Sequence, residues 1–122
     1  MTNEAPNLNV KKKNYDLEER TDRFGEVIID FAKSTPKDTM TIPLIGQIVR
    51  SGTSIGANYL EAHAGSTKRD FRYRISICRK EAKETRHWLR MIAHAVPEKK
   101  EQARKLWQEA QEFVLIFSAI LK

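Results

Sequence analysis

Apolar residues recur every three or four positions through most of this chain, and nowhere do they alternate with a period of two. That spacing predicts α-helices and no strands. The first helix is expected from about Asp16 to Lys33, with Asn14 as cap and Leu17, Phe24, Val27, Ile28 and Phe31 on its inner face; Ser34, Thr35 and Pro36 end it. Thr41, with Pro43 in the first turn, opens a second helix carrying Leu44, Ile45, Ile48, Ile55, Tyr59 and Ala62, which Gly65 and Ser66 close.

The third helix, over residues 66 to 94, has a nearly unbroken three-four repeat: Phe71, Ile75, Cys78, Ala82, Thr85, Leu89 and Ile92. Pro97 breaks the chain after it. A fourth, from about Glu98 to Leu121, repeats Ala103, Leu106, Ala110, Phe113, Phe117 and Ile120 at the same spacing. Short connections make sequential helices antiparallel neighbours. The expected fold is an all-α, antiparallel up-down-up-down four-helix bundle over residues 15–122, preceded by a flexible polar arm over residues 1–14 that contains Lys11, Lys12 and Lys13.

Two helices carry more apolar surface than such a core uses. Tyr73, Ile77, Trp88 and Met91 lie off the seam of the third, and Trp107, Val114, Leu115, Ile116 and Leu121 flank that of the fourth. Helices apolar on two sides are buried on two sides, so Tyr73, Ile77, Trp88, Met91, Trp107 and Leu115 are expected at the interface of a homo-oligomer.

Charge changes the picture further. The chain of 122 residues carries a formal charge of +6, and the third helix accounts for all of it. Residues 66–94 hold nine Lys or Arg against Asp70, Glu81 and Glu84, while the rest balances at thirteen against thirteen. On a wheel of about 100° per residue, Arg72, Ser76, Arg79, Lys83, Arg86 and Arg90 form one stripe, and the three acids project to the far side. A solvated charged face normally mixes its signs. A segregated ridge matches the footprint of a nucleic-acid binder, with Arg72, Arg79, Lys83, Arg86 and Arg90 on phosphates and Lys68 and Arg69 extending the patch. No zinc finger, basic zipper or RNP-type aromatic pattern accompanies it, so the expected contact is phosphate neutralisation rather than base reading, with structured RNA favoured over DNA. The competing reading is a scaffold whose basic face meets an acidic protein, or the Asp70, Glu81 and Glu84 side of its own neighbour.

Other classes are weak. Gly52-Thr53-Ser54-Ile55-Gly56 fits the G-x-S-x-G pattern, but a nucleophile elbow needs a strand before the serine. Glu84-Thr85-Arg86-His87 resembles a di-iron Glu-x-x-His without its second copy, and His63 and His94 lack zinc-ligand spacing. We therefore expect no enzyme, no metal and no cofactor. The lone Cys78 falls on the apolar seam as an inert thiol. Met1 to Asn14 lacks the apolar core of a secretory signal, and Phe113 to Leu121 is too short for a membrane span; a cytoplasmic location is expected, with no membrane partner.

The segment Arg50-Ser51-Gly52-Thr53-Ser54-Ile55-Gly56-Ala57-Asn58-Tyr59-Leu60-Glu61-Ala62 closely resembles the signature of the four-helix-bundle 23S rRNA-intervening-sequence proteins, relatives of the accessory variability proteins of diversity-generating retroelements. The likeness runs from Tyr15-Asp16-Leu17 through Phe71, Ile75, Lys83-Glu84 and Trp88-Leu89. It implies a homo-oligomeric ring, typically a pentamer, with a basic surface. For the accessory branch it implies nucleic-acid binding and a reverse-transcriptase partner. Physically, Ser51, Gly52, Thr53, Ser54, Gly56 and Ala57 are small enough for close helix approach. Asn58 and Glu61 are placed to hydrogen-bond or pair with a basic residue of another helix, which makes the segment architectural. Arg50 is open at this stage between the basic surface and an acidic partner.

Overall fold

A computed structural model describes the backbone of residues 10–65 and 67–122, with side chains from Leu17 onward. Four α-helices make up the described residues, with no strand among them: α1 (Val10–Ser34), α2 (Thr41–Ala64), α3 (Lys68–Ala95) and α4 (Lys100–Leu121). Residues 1–9 of the expected arm lie outside the described residues, and residues 10–14 belong to α1, which starts before Asp16.

The helix ends follow local chemistry. Thr67 accepts a hydrogen bond from the Asp70 amide at 3.0 Å, so α3 starts at Lys68, two residues later than its periodicity suggested. The amide of Val96 donates to Ile92 O at 2.8 Å and closes the helix. Pro97 then opens a 3-10 turn, Pro97–Lys99, which postpones α4 to Lys100. Between α1 and α2, Asp38 Oδ1 accepts from the amides of Met40 and Thr41 at 2.8 and 2.9 Å. Thr41 Oγ1 donates to Pro36 O at 2.6 Å, which holds the turn together. Gly65, expected to close α2, caps it in extended conformation with φ −70°.

The buried core draws on every helix: Phe24, Ile28 and Phe31 from α1, Ile48 and Ile55 from α2, Ile75, Cys78 and Leu89 from α3, Phe113 and Phe117 from α4. Phe24 meets Phe113 edge-on at 5.4 Å, and Phe113 stacks on Phe117 at 6.1 Å. Two apolar expectations are corrected. Val27, expected inside, is 38% exposed. Val114, counted as surplus, is buried, while Ile116, Leu121 and Trp88 pack against the core edge. Large side chains there absorb more apolar area than a narrow seam would.

Gly52, Thr53 and Gly56 of α2 face α1. A Cβ on Gly52 would lie 2.9 Å from both Cγ1 and Cγ2 of Ile28, and one on Gly56 would lie 2.9 Å from Asp22 Oδ1. At Gly52, against the buried Ile28, only glycine lets α1 come this near.

Candidate nucleic-acid interface

The ridge on α3 divides into anchored and unanchored cations. Arg72 Nη2 donates to Leu121 O at 2.7 Å, and Arg79 Nη1 donates to Ser118 Oγ at 3.3 Å. Arg86 Nη1 donates to Gln111 Oε1, and its guanidinium stands over the Trp107 ring, 5.6 Å from the centroid. Three arginines, two turns apart on α3, thus lean on α4. Every acceptor is neutral. Lys68, Arg69, Lys83 and Arg90 are exposed, and no ion pair among the described residues engages any of these seven cations.

Two of the three acids of α3, Glu81 and Glu84, are taken up elsewhere. Arg50 of α2 donates to Glu81 Oε1 at 3.0 Å and to Glu84 Oε1, and it also donates to Gln47 at 3.1 Å. Glu81 is buried by this contact. Arg50, undecided from sequence, pairs with acids and lies across α3 from the ridge. The pairs hold its guanidinium pKa above the ordinary value although burial alone pulls it down. The ridge cations therefore stay out of ion pairs on one side of α3, and the negative charge of Glu81 and Glu84 is spent on the other.

The rest of the signature segment is bonded within the fold. Ser51 Oγ accepts from Thr85 Oγ1 at 2.9 Å, and Ser54 Oγ donates to Arg50 O at 2.6 Å. Asn58 donates to Ser54 O at 2.9 Å and accepts from Arg74 Nη1 at 3.0 Å. Glu61 is exposed. Ser54 sits inside α2, with no strand before it, so the G-x-S-x-G arrangement cannot act as an elbow. Of the Glu-x-x-His pair, Glu84 is held by Arg50 and exposed His87 packs edge-on against Trp88 at 4.8 Å. No group of three or more His, Cys, Asp or Glu suited to a metal occurs among the described residues.

The residues expected at an oligomer interface separate. Ile77, Trp88 and Met91 are half-buried in the chain itself, while Tyr73, Trp107 and Leu115 are exposed. Ser118 and Gln111 escaped sequence reasoning as partners of the ridge. The signal for Ser118 was its interruption of the apolar run of α4.

Residues 13–119 match the 23S rRNA-intervening sequence proteins. The chain belongs to that family. It is also similar to the solved structure of a protein of unknown function from the S23 ribosomal protein family of Bacteroides thetaiotaomicron. The two share 28% identity over 87% of this chain and 98% of the other, with a TM-score of 0.77. Among curated proteins none matches. The family is named for an intervening sequence of 23S rRNA, and the function of the neighbour is unknown. No helix among the described residues is long and apolar enough to cross a membrane.

Proposed function

We propose that this protein is a non-enzymatic, homo-oligomeric RNA-binding protein of the cytoplasm that grips phosphates with the α3 ridge. One observation carries the reading: Arg72, Arg79 and Arg86 are steadied by neutral acceptors on α4, while Arg50 withdraws Glu81 and Glu84 on the opposite side. Cations held in place by a carbonyl, a hydroxyl and an amide keep their charge for a polyanion. A guanidinium has five N–H donors, so each arginine retains donors after its anchor is made.

The rRNA-related family names favour RNA over DNA. The same pairing disfavours a scaffold held by self-complementary charge, because two of the three acids of α3 are already engaged. Exposed Leu60, Leu115 and Ile42 supply apolar surface for subunit contact, for which a pentamer is the arrangement implied by resemblance. The narrower form of the proposal, implied by the accessory variability proteins, puts the ridge on the template RNA of a reverse transcriptase. We infer as well that the helices alternate in direction. Residue pairs across each seam support it, descending in one helix as they ascend in the other: Thr21, Gly25 and Ile28 against Gly56, Thr53 and Gly52, then Arg72, Arg79 and Arg86 against Leu121, Ser118 and Gln111.

The test is fluorescence anisotropy of a structured RNA and a DNA duplex across a salt series, with nuclease-treated protein. Wild type is compared with the triple variant Arg69→Glu, Lys83→Glu, Arg90→Glu, chosen because these exposed cations anchor nothing. Wild type is expected to bind RNA with a steep log-log salt slope, and the variant to lose binding at unchanged oligomer mass. Failure of wild type to bind either probe at low salt sinks the proposal.

A further inference from the structure

We propose that the cleft between the start of α3 and the end of α4 holds one unpaired nucleotide, with Tyr73 as the stacking platform for its base and Arg72 and Arg79 as donors to its phosphate. The inference rests on the nucleic-acid reading above. The cleft is open, about 580 Å³ in volume, and lined by Arg69, Arg72, Tyr73, Ser76, Arg79 and Ser118 among others.

Tyr73 is 62% exposed, against 37% for Trp107, the other exposed large aromatic among the described residues. From its sequence position it was expected at a subunit interface. Its surroundings also suit an anionic ligand: this ring shares its cleft with three arginines, none of them in an ion pair among the described residues. The guanidinium of Arg74 stands over the ring at 6.0 Å from the centroid. Asn58 holds Arg74 by a 3.0 Å hydrogen bond, so that face of the ring is backed by a fixed cation. In the proposed subsite the base takes the opposite face. Arg72 and Arg79 need no rearrangement to meet a phosphate beside it, because Leu121 O and Ser118 Oγ already hold them. Preorganised donors lose less side-chain entropy on binding.

Such a site selects by strandedness. In a duplex the bases are stacked on one another, whereas loops, bulges and ends offer a free base to an aromatic ring. Since every base has a π-face, preference among the four is expected to be small. The ridge then supplies affinity for any RNA phosphate, and Tyr73 adds a preference for RNA with an unpaired nucleotide.

The experiment compares Tyr73→Ala and Tyr73→Phe with wild type on two probes of equal charge: a single-stranded RNA without self-pairing and a blunt RNA duplex. Tyr73→Ala is expected to weaken single-strand binding by about fivefold or more, leave duplex binding unchanged, and leave oligomer mass unchanged. Tyr73→Phe, which keeps the ring, is expected to bind both probes as wild type does. Equal losses on both probes, no loss on either, or an altered oligomer mass in Tyr73→Ala each overturn the subsite while wild-type duplex binding keeps the ridge intact. Wild type that binds neither probe removes the nucleic-acid reading itself, and the subsite with it.

Discussion

Arg50 on α2 donates to the buried carboxylate of Glu81 on α3 at 3.0 Å, reaching across 31 residues of sequence. The pair joins two helices and also governs electrostatics, since it removes from solvent one of the acids of the ridge helix itself. Arg50→Ala leaves Glu81 without its partner. We expect a loss of about 1–3 kcal/mol, toward the low end because the arginine is itself half in solvent, read from the urea midpoint. Combined with Glu81→Gln the loss should fall short of the sum of the two single changes, and strict additivity would contradict the coupling.

Two glycines of α2 should respond to alanine with opposite signs. Gly52→Ala drives a methyl group to 2.9 Å from two carbons of the branched Ile28, and overpacking of that kind costs about 1–3 kcal/mol. At Gly46 nothing lies within 4 Å of the added Cβ, so Gly46→Ala should stabilise by about 0.5–1 kcal/mol through helix propensity. Thermal unfolding of both variants checks the pair.

Cys78 is fully buried, and burial pushes its thiol pKa up to about 12. At pH 8 the folded protein should resist alkylation. Labelling should track global unfolding as urea is added; rapid modification of the native state would show that the α2–α3 seam opens.

Asp38 provides a pH handle on the α1–α2 turn. Hydrogen bonds from the amides of Thr41 and Met40 hold its carboxyl below the ordinary value. With the folded pKa depressed, its contribution is complete above the unfolded value of about 3.9 and is lost as pH falls through the folded one. The stability gap between wild type and Asp38→Ala should therefore be constant near neutral pH and close in acid. A gap that widened in acid would refute the assignment.

Anchored and unanchored cations of the ridge should be separable. Lys83→Ala is expected to lower the salt slope of RNA binding by about one while leaving the melting temperature alone. Arg86→Ala should do both kinds of damage, losing about 1 kcal/mol of stability with the Gln111 bond and the Trp107 contact and changing tryptophan fluorescence.

The core seams of α3 and α4 were readable residue by residue because a helix fixes the angular position of each side chain within its own backbone. Ile75, Cys78, Ala82, Thr85, Leu89 and Ile92 are all buried, as their spacing required. Ends were less readable: a threonine cap shortened α3, and Pro97 inserted a 3-10 turn before α4. Surplus apolar surface was misjudged at Val114 and Val27, where the width of the core, rather than the wheel, decides what is covered.

The sequence by itself determined four helices, the buried position of Cys78 and a cationic side of α3, since each is a periodic property of one segment. Tertiary structure alone decided that Arg50 takes Glu81 and Glu84, that Ser118 and Gln111 receive Arg79 and Arg86, and that Tyr73 stands in a cleft of arginines. Those facts depend on the register between helices, which is set by how closely Gly52 and Gly56 let α1 approach α2 and by the large side chains that fill the core, and no single helix contains that information.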